Sequence, residues 1–361
     1  MTDTLLFKPS TLGALPLKNR VVMAPMTRSR ATAAHVPTPA MAEYYGQRAS
    51  AGLIITEGTA PSPDGAGYAR IPGLWSAEQV EAWKPVTAAV HAREGKIFVQ
   101  LMHTGRIGHA LNLPPGAEVL APSAVLAAGQ MFTDQQGPQP HPTPRAMTTA
   151  EVQQAKGAFV TAAKNAIAAG FDGVELHGAN GYLLEEFISP ITNQRTDAYG
   201  GSVENRIRFV VEVAHATAEA IGGARVGIRL SPHGIASDMK PYPEVDATYL
   251  LLVKELAATG LQYVHLVDHS AMGGAKVPAE LKASLRSAFP RTFILAGGFD
   301  GSTAEQALAE KRGDLIALGR PFISNPDLVT RLKKAIPLAP VDFSTAYSPG
   351  TKGYTDYPAA S

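Results

Sequence analysis

The sequence predicts an α/β protein: a (β/α)8 barrel of the TIM type with a long capping insertion after its third strand. Three observations carry that prediction. Eight short runs rich in β-branched residues are bounded by Gly and Pro, and several are apolar nearly throughout (VVMAPM, LIITEG, FILAGG, LIALGR), the pattern of parallel strands covered on both faces. Each run is followed by a stretch with helical spacing. The chain has 361 residues, more than the roughly 250 such a barrel typically needs, so the surplus is expected in insertions.

In order, the runs are Val21–Met26, Leu53–Gly58, Ile97–Met102, Gly173–Gly178, Val226–Pro232, Tyr263–Asp268, Thr292–Gly298 and Leu315–Pro321. Among the intervening segments, the spacing predicts helices from Ala150 to Ala169, Val203 to Ile221 and Asp246 to Thr259. In the first of these Val152, Ala155, Phe159, Ala162, Ala163 and Ala166 fall on one face. Ser302-Thr303-Ala304-Glu305 reads as a capping box whose helix ends at Gly313. Asn325 reads as the cap of a last helix with Pro326 at its first position. The largest surplus, residues 107–147, is rich in Pro, Gly and Gln and reads as the capping insertion, with a short hairpin over the barrel mouth. Residues 337–361, with four Pro and three Tyr, suit an ordered extended tail. The whole chain, 1–361, is expected to form one barrel domain.

Composition narrows the chemistry. Hydrophobic residues make up 45% and charged residues 17%, too apolar and too well mixed for a disordered chain. Lys+Arg 32 against Asp+Glu 31 leaves a net charge of +1, no footprint for nucleic acid or an anionic membrane. The absence of cysteine excludes disulfides, thiolate zinc sites, Cys-ligated clusters and a cysteine nucleophile together. From Met1 to Lys18 no secretory pattern is seen, and no run is long enough to span a bilayer, so a cytoplasmic location is expected.

In this class of barrel the active site lies at the carboxyl ends of the strands, so polar residues there are informative. Gln100 interrupts IFVQLM and Arg229 interrupts VGIRLSP. A buried guanidinium stays charged and must meet an anion or several acceptors. An internal Arg–carboxylate pair would satisfy Arg229. Taken with Gln100 and with Thr27 at the end of the first run, a flat heterocycle with an amide-like edge, such as an isoalloxazine ring, accounts for more. The seventh and eighth runs end in Ala296-Gly297-Gly298 and Leu318-Gly319-Arg320-Pro321, where glycine backbone and a guanidinium suit a phosphate. His177, Asn180 and Tyr182 follow the fourth run: two donors for one carbonyl oxygen, and a hydroxyl able to protonate carbon. That loop offers too few convergent ligands for a metal, and none is expected. No GxGxxG follows a strand, so a nicotinamide would visit as a substrate. A flavin-free isomerase or aldolase barrel shares the phosphate glycines but gives no reason for Gln100 and Thr27. A barrel that binds flavin without turnover remains a further alternative.

The stretches Leu17–Arg28, Gly173–Gly201, Ile228–Pro232, Ala317–Leu328 and Gly353–Pro358 resemble the Old Yellow Enzyme family of FMN-dependent ene-reductases, the N-ethylmaleimide reductases among them. The resemblance implies tightly bound FMN, with Thr27 by the flavin C4 carbonyl and the backbone of Pro25, Met26 and Gly58 along the ring. It implies that Gln100 and Arg229 bind the pyrimidine edge and that Gly297, Gly298, Gly319 and Arg320 hold the phosphate. His177 and Asn180 would grip the substrate oxygen, Tyr182 would be the proton donor, and Tyr68 and Tyr347 would line the pocket. NADPH or NADH would reduce the flavin, and flavin N5 would pass hydride to an α,β-unsaturated carbonyl or nitro compound. The implied partners are therefore small molecules; a monomer or weak homo-oligomer is expected, and the sequence leaves the oligomeric state open. The chain departs from many relatives at Met102, where a large aromatic is common, and at Gly58, where Ala is. Thr27 in place of Cys sets it apart from the thermophile-like branch.

Overall fold

Eight parallel strands close on themselves in the computed structural model, which describes residues 4–360. Met1–Asp3 and Ser361, the outer ends of the N-terminal stretch and of the tail, lie outside the described residues. The strands are β1 (Val21–Met23), β2 (Leu53–Thr59), β3 (Ile97–Leu101), β4 (Gly173–Gly178), β5 (Val226–Leu230), β6 (Tyr263–Val267), β7 (Thr292–Ala296) and β8 (Leu315–Leu318). Each pairs with its neighbour in chain order, and β8 pairs with β1 to complete the barrel. All eight predicted runs are strands. Most stop short of the run's end, because Pro25, Pro232 and Pro321 have no N–H for a ladder and Gly297 and Gly298 turn to positive φ.

A helix follows every strand: α1 (Pro39–Gln47), α2 (Ala77–His91), α3 (Thr149–Ala168), α4 (Val203–Ile221), α5 (Val245–Ala258), α6 (Ala279–Ala288), α7 (Gly301–Ala309) and α8 (Leu328–Lys334). The buried face of α3 is the predicted one. Two predicted caps are corrected. The cap of α7 is Asp300, which exchanges hydrogen bonds with Thr303, and the helix ends at Ala309, with Lys311 rather than Gly313 in the left-handed region. Glu305 serves a tertiary purpose instead: its carboxylate accepts the N–H groups of Leu5 and Leu6 and pins the start of the chain. Asn325 does not cap the last helix, which begins at Leu328 after Asp327, and instead closes a short helix, Arg320–Ser324. It is buried, donating to the carbonyls of Pro321 and Ala339 and accepting from Ala339 N–H, so the tail competes successfully for its amide.

Alternation along the strands sorts the core into two sets. Val21, Met23, Ile54, Val99, Leu101, Val174, Leu176, Ile228, Val264 and Ile316 pack outward against the helices. Val22, Ala24, Ile55, Phe98, Tyr263, Ile294, Ala296, Leu315 and Ala317 fill the lumen. Large rings fit there because their neighbours are small: a Cβ on Gly227 would stand 2.1 Å from the Tyr263 ring, and one on Gly173 2.5 Å from the Phe98 ring. A hairpin of Ser10–Leu12 and Leu15–Leu17, which the sequence reading did not assign, adds Leu12 and Leu17 to this cluster and plugs the amino end of the barrel. The lumen floor is therefore apolar, and the carboxyl end is left for polar groups.

Above that end, Gln130–Thr133 pairs antiparallel with Gly137–Pro140, a hairpin inside the insertion. The tail is held by two buried arginines. Arg28 donates to the carbonyls of Ala346 and Gly353, Arg30 to those of Thr345, Ala346, Gly350 and Lys352, and Tyr354 stacks on Tyr44 with ring centroids 4.1 Å apart. Arg70 links both pieces, bonding Asp134 of the hairpin and the Tyr347 carbonyl of the tail.

Candidate active site

The polar residues that interrupt the strands share the lumen side near the carboxyl ends. Strand register places Gly58 beside Gln100 and Gln100 beside Glu175, and one layer higher His177 beside Arg229 and Arg229 beside His265. Glu175, fully buried, accepts from Gln100 Nε2 (2.9 Å), His265 (2.8 Å) and the Tyr263 hydroxyl (3.1 Å). That carboxylate forms no ion pair with Arg229, so the internal pair left open by the sequence is not made. Arg229 is buried, its Nε has no hydrogen-bond partner, and burial lowers its pKa. Such a group is costly unless something acceptor-rich meets it.

The loop after β4 is built on left-handed backbone, with Asn180 at φ 61° and Gly181 at φ 75°. Hydrogen bonds hold it there. Asn180 N–H donates to Ser231 Oγ, Ser231 Oγ to Glu185, Gly181 N–H to the other Glu185 oxygen, and the Tyr249 hydroxyl also bonds Glu185. Asn is among the side chains that tolerate this conformation best. His177 is buried with Nδ1 unpartnered, and burial, reinforced by the Arg229 charge, holds its pKa well below the usual imidazole value. It is a neutral donor. Its ring lies 5.0 Å from the Tyr182 ring, edge to face, and the Tyr182 and Tyr68 hydroxyls are 3.0 Å apart. Burial raises the pKa of Tyr182, so the hydroxyl keeps its proton at neutral pH.

Two cavities meet above these groups. One, of about 570 Å³, is lined by residues 24–28, Asn180, Arg229, Gly297, Gly298, Gly319 and Arg320. The other, of about 750 Å³, is lined by Tyr68, Arg70, Met131, Phe132 and Tyr182, and Thr27, Phe343 and Tyr347 border both. Gly297 (φ 127°) and Gly298 (φ 71°) present bare backbone to this cavity as a cradle, and no side chain fits at Gly297, where a Cβ would stand 2.4 Å from the Asp268 carbonyl. Arg320 stands exposed beside it. Most residues singled out in the sequence therefore converge on one mouth. Gly58, Gln100 and His177 lie off the cavity walls, and Tyr347 is a rim residue, 62% exposed. The space above Gly58 is taken by Met102, whose Sδ would be 2.4 Å from a Cβ there, so the two unusual residues fit each other.

An apolar-walled cavity lined both by a glycine cradle and by a guanidinium whose Nε is unpartnered fits FMN, whose phosphate and pyrimidine edge carry the matching acceptors. Ser231, Glu185, Tyr249, His265 and His269 were missed in the sequence. For His265 the signal existed, because a polar residue inside YVHLV is the same anomaly that exposed Gln100 and Arg229.

Three buried carboxyls near the mouth hold protons unusually well. Burial pushes Glu57 and Glu185 up to about 7 and Glu186 to about 8, from an ordinary 4.5. At these three groups the fold thus binds more protons than the unfolded chain between those values, and their contribution to stability is lost as pH rises through them. Below about pH 6.5 the buried histidines, held neutral in the fold, oppose this slope, so the unfolding midpoint is expected to fall from about pH 7 to about pH 8, and less steeply in Glu186→Gln. Identical slopes in the natural sequence and in Glu186→Gln between about pH 7 and about pH 8 would show Glu186 already ionised in the fold.

A model of the NADH:flavin oxidoreductase / NADH oxidase family matches residues 5–339. Chanoclavine-I aldehyde reductase fgaOx3 of Penicillium roqueforti is 44% identical, covering 98% of this chain and 96% of its own. The structure of morphinone reductase in complex with tetrahydroNAD matches with a TM-score of 0.94 at 42% identity, over 99% of this chain and 98% of that one. The Old Yellow Enzyme homologue from Zymomonas mobilis matches at 0.93 and 42%, over 98% and 99%. With the barrel, the cradle and the donor loop in place, these likenesses assign the chain to the FMN-dependent NADH:flavin oxidoreductase / NADH oxidase family, that of the Old Yellow Enzymes, and it belongs there over nearly its whole length.

Proposed function

We propose that the protein is an NAD(P)H-dependent reductase of activated C=C bonds in α,β-unsaturated carbonyl or nitro compounds. One observation carries the reading: a single loop presents Asn180 on the wall of one cavity and Tyr182 on the wall of the adjoining one, with neutral His177 beside them. Bound FMN would supply the two-electron chemistry, taking hydride from the nicotinamide and passing it to the β-carbon of the alkene. The chain supplies the rest. Gly297, Gly298, Gly319 and Arg320 hold the phosphate, and Pro25, Met26 and Thr27 line the ring. Gln100 donates its amide N–H to Glu175, which leaves its carbonyl oxygen for an N–H of the pyrimidine edge, and Arg229 offsets negative charge there. His177 and Asn180 donate to the substrate oxygen, which draws electron density from the β-carbon. Tyr182 then protonates the α-carbon, and Tyr68, hydrogen-bonded to it, fixes where that hydroxyl points. Tyr347, Phe343 and Phe132 leave an apolar rim for the remainder of the substrate.

The test is anaerobic. The yellow protein should bleach with NADPH or NADH and recover its colour with 2-cyclohexenone, with parallel double-reciprocal plots. Bleaching without recovery would reduce the protein to a flavin carrier, and a colourless protein that binds no FMN would overturn the reading.

A further inference from the structure

Asn180 can serve a substrate oxygen only if its amide is turned the right way round. A freely rotating carboxamide offers a donor and an acceptor with similar ease, and its carbonyl would repel the oxygen it is meant to hold. We propose that His269 is a positioning residue that fixes this choice, holding the Asn180 carbonyl oxygen and leaving the Nδ2 group as the part of the amide free to meet a bound oxygen. The inference rests on the proposed function, which makes Asn180 a substrate contact.

The geometry admits one solution. His269 opens the turn His269–Met272 after β6 and is buried. Its Nδ1 lies 3.3 Å from the backbone nitrogen of Ile235, and a backbone N–H can only donate, so Nδ1 is an acceptor. Burial, aided by the Arg229 charge, holds the ring's pKa down to about 4, so at neutral pH it carries one proton, which must then sit on Nε2. Nε2 is 2.9 Å from Asn180, and a donor there requires the amide oxygen opposite it. The orientation follows from the backbone and does not depend on how the amide is drawn.

The loop after β5 controls both partners. Ser231 Oγ holds the Asn180 backbone, while Ile235 N–H, four residues on, selects the His269 tautomer. Gly234 and Gly274 keep the ring in place by close approach: a Cβ on either would stand 3.2 Å from His269 Nδ1 and 3.0 Å from its Cβ, respectively. Three successive barrel loops thus converge on one amide, and His269 and Asn180 line the same cavity.

Two measurements test the proposal. In protein of natural sequence carrying 15N-histidine, the two-bond correlation pattern should show the Nε2–H form for His269, and the Nδ1–H form would overturn it. Binding of 4-hydroxybenzaldehyde to the flavin-loaded protein should weaken about tenfold in His269→Leu, the weight of one hydrogen bond. His269→Gln, whose amide can accept from Ile235 and donate to Asn180, should restore it to within about threefold of the natural sequence. In an Asn180→Ala background, His269→Leu should change nothing further. Additive losses, or no recovery with Gln, would overturn the positioning role. If protein of natural sequence neither binds the phenol nor reduces 2-cyclohexenone, the proposed function fails, and the tautomer measurement still decides whether the clamp exists.

Discussion

Tyr182→Phe is expected to slow alkene reduction by about 10²–10⁴-fold, the usual weight of a positioned general acid, while nicotinamide still reduces the flavin at nearly the original rate. The asymmetry follows from what the hydroxyl does. Phe keeps the ring and its edge-to-face contact with His177, so the pocket retains its shape. What disappears is a proton held at neutral pH by burial and a hydrogen bond to Tyr68. Protonation of carbon belongs only to the step that consumes the alkene. Stopped-flow measurement of the two half-reactions separates them, and equal losses in both would give Tyr182 a structural role instead.

Arg229→Met is expected to move two quantities in opposite directions. FMN affinity should fall roughly 10–100-fold, the weight of a charge-assisted hydrogen bond. The flavin-free protein should become more stable, because a buried guanidinium with an unpartnered Nε is replaced by an apolar chain of similar length. A partner elsewhere would have made the same substitution destabilising. Glu175 is the nearby carboxylate, but Gln100, Tyr263 and His265 already occupy it. Calorimetry on apoprotein and fluorescence titration with FMN read the two effects separately. An apoprotein destabilised by the change would mean that Arg229 is structural.

The outline of this reading was available in the sequence because barrel strands carry it redundantly. A run such as FILAGG states its own burial on both faces, and a Gln or Arg inside such a run is conspicuous at once. His265 belonged to the same class and was overlooked, although its parity with Tyr263 places it in the lumen. Helix caps fared worse. Ser302-x-x-Glu305 and Asp300-x-x-Thr303 are both plausible local signals, and the choice between them was made by Leu5 and Leu6, about 300 residues away, which claim the Glu305 carboxylate. Asn325 was likewise taken by the tail.

By itself the sequence determined the barrel, the place of its mouth and most of the side chains gathered there, because strand periodicity and the carboxyl-end rule are local and repeat eight times. The tertiary structure alone decided how those side chains are held. The orphaned state of Arg229 depends on who else reaches Glu175. The donor face of Asn180 depends on a histidine 89 residues later and on a backbone N–H in the loop between them. Hydrogen-bond direction is a property of pairs, and the members of these pairs meet only when the strands close.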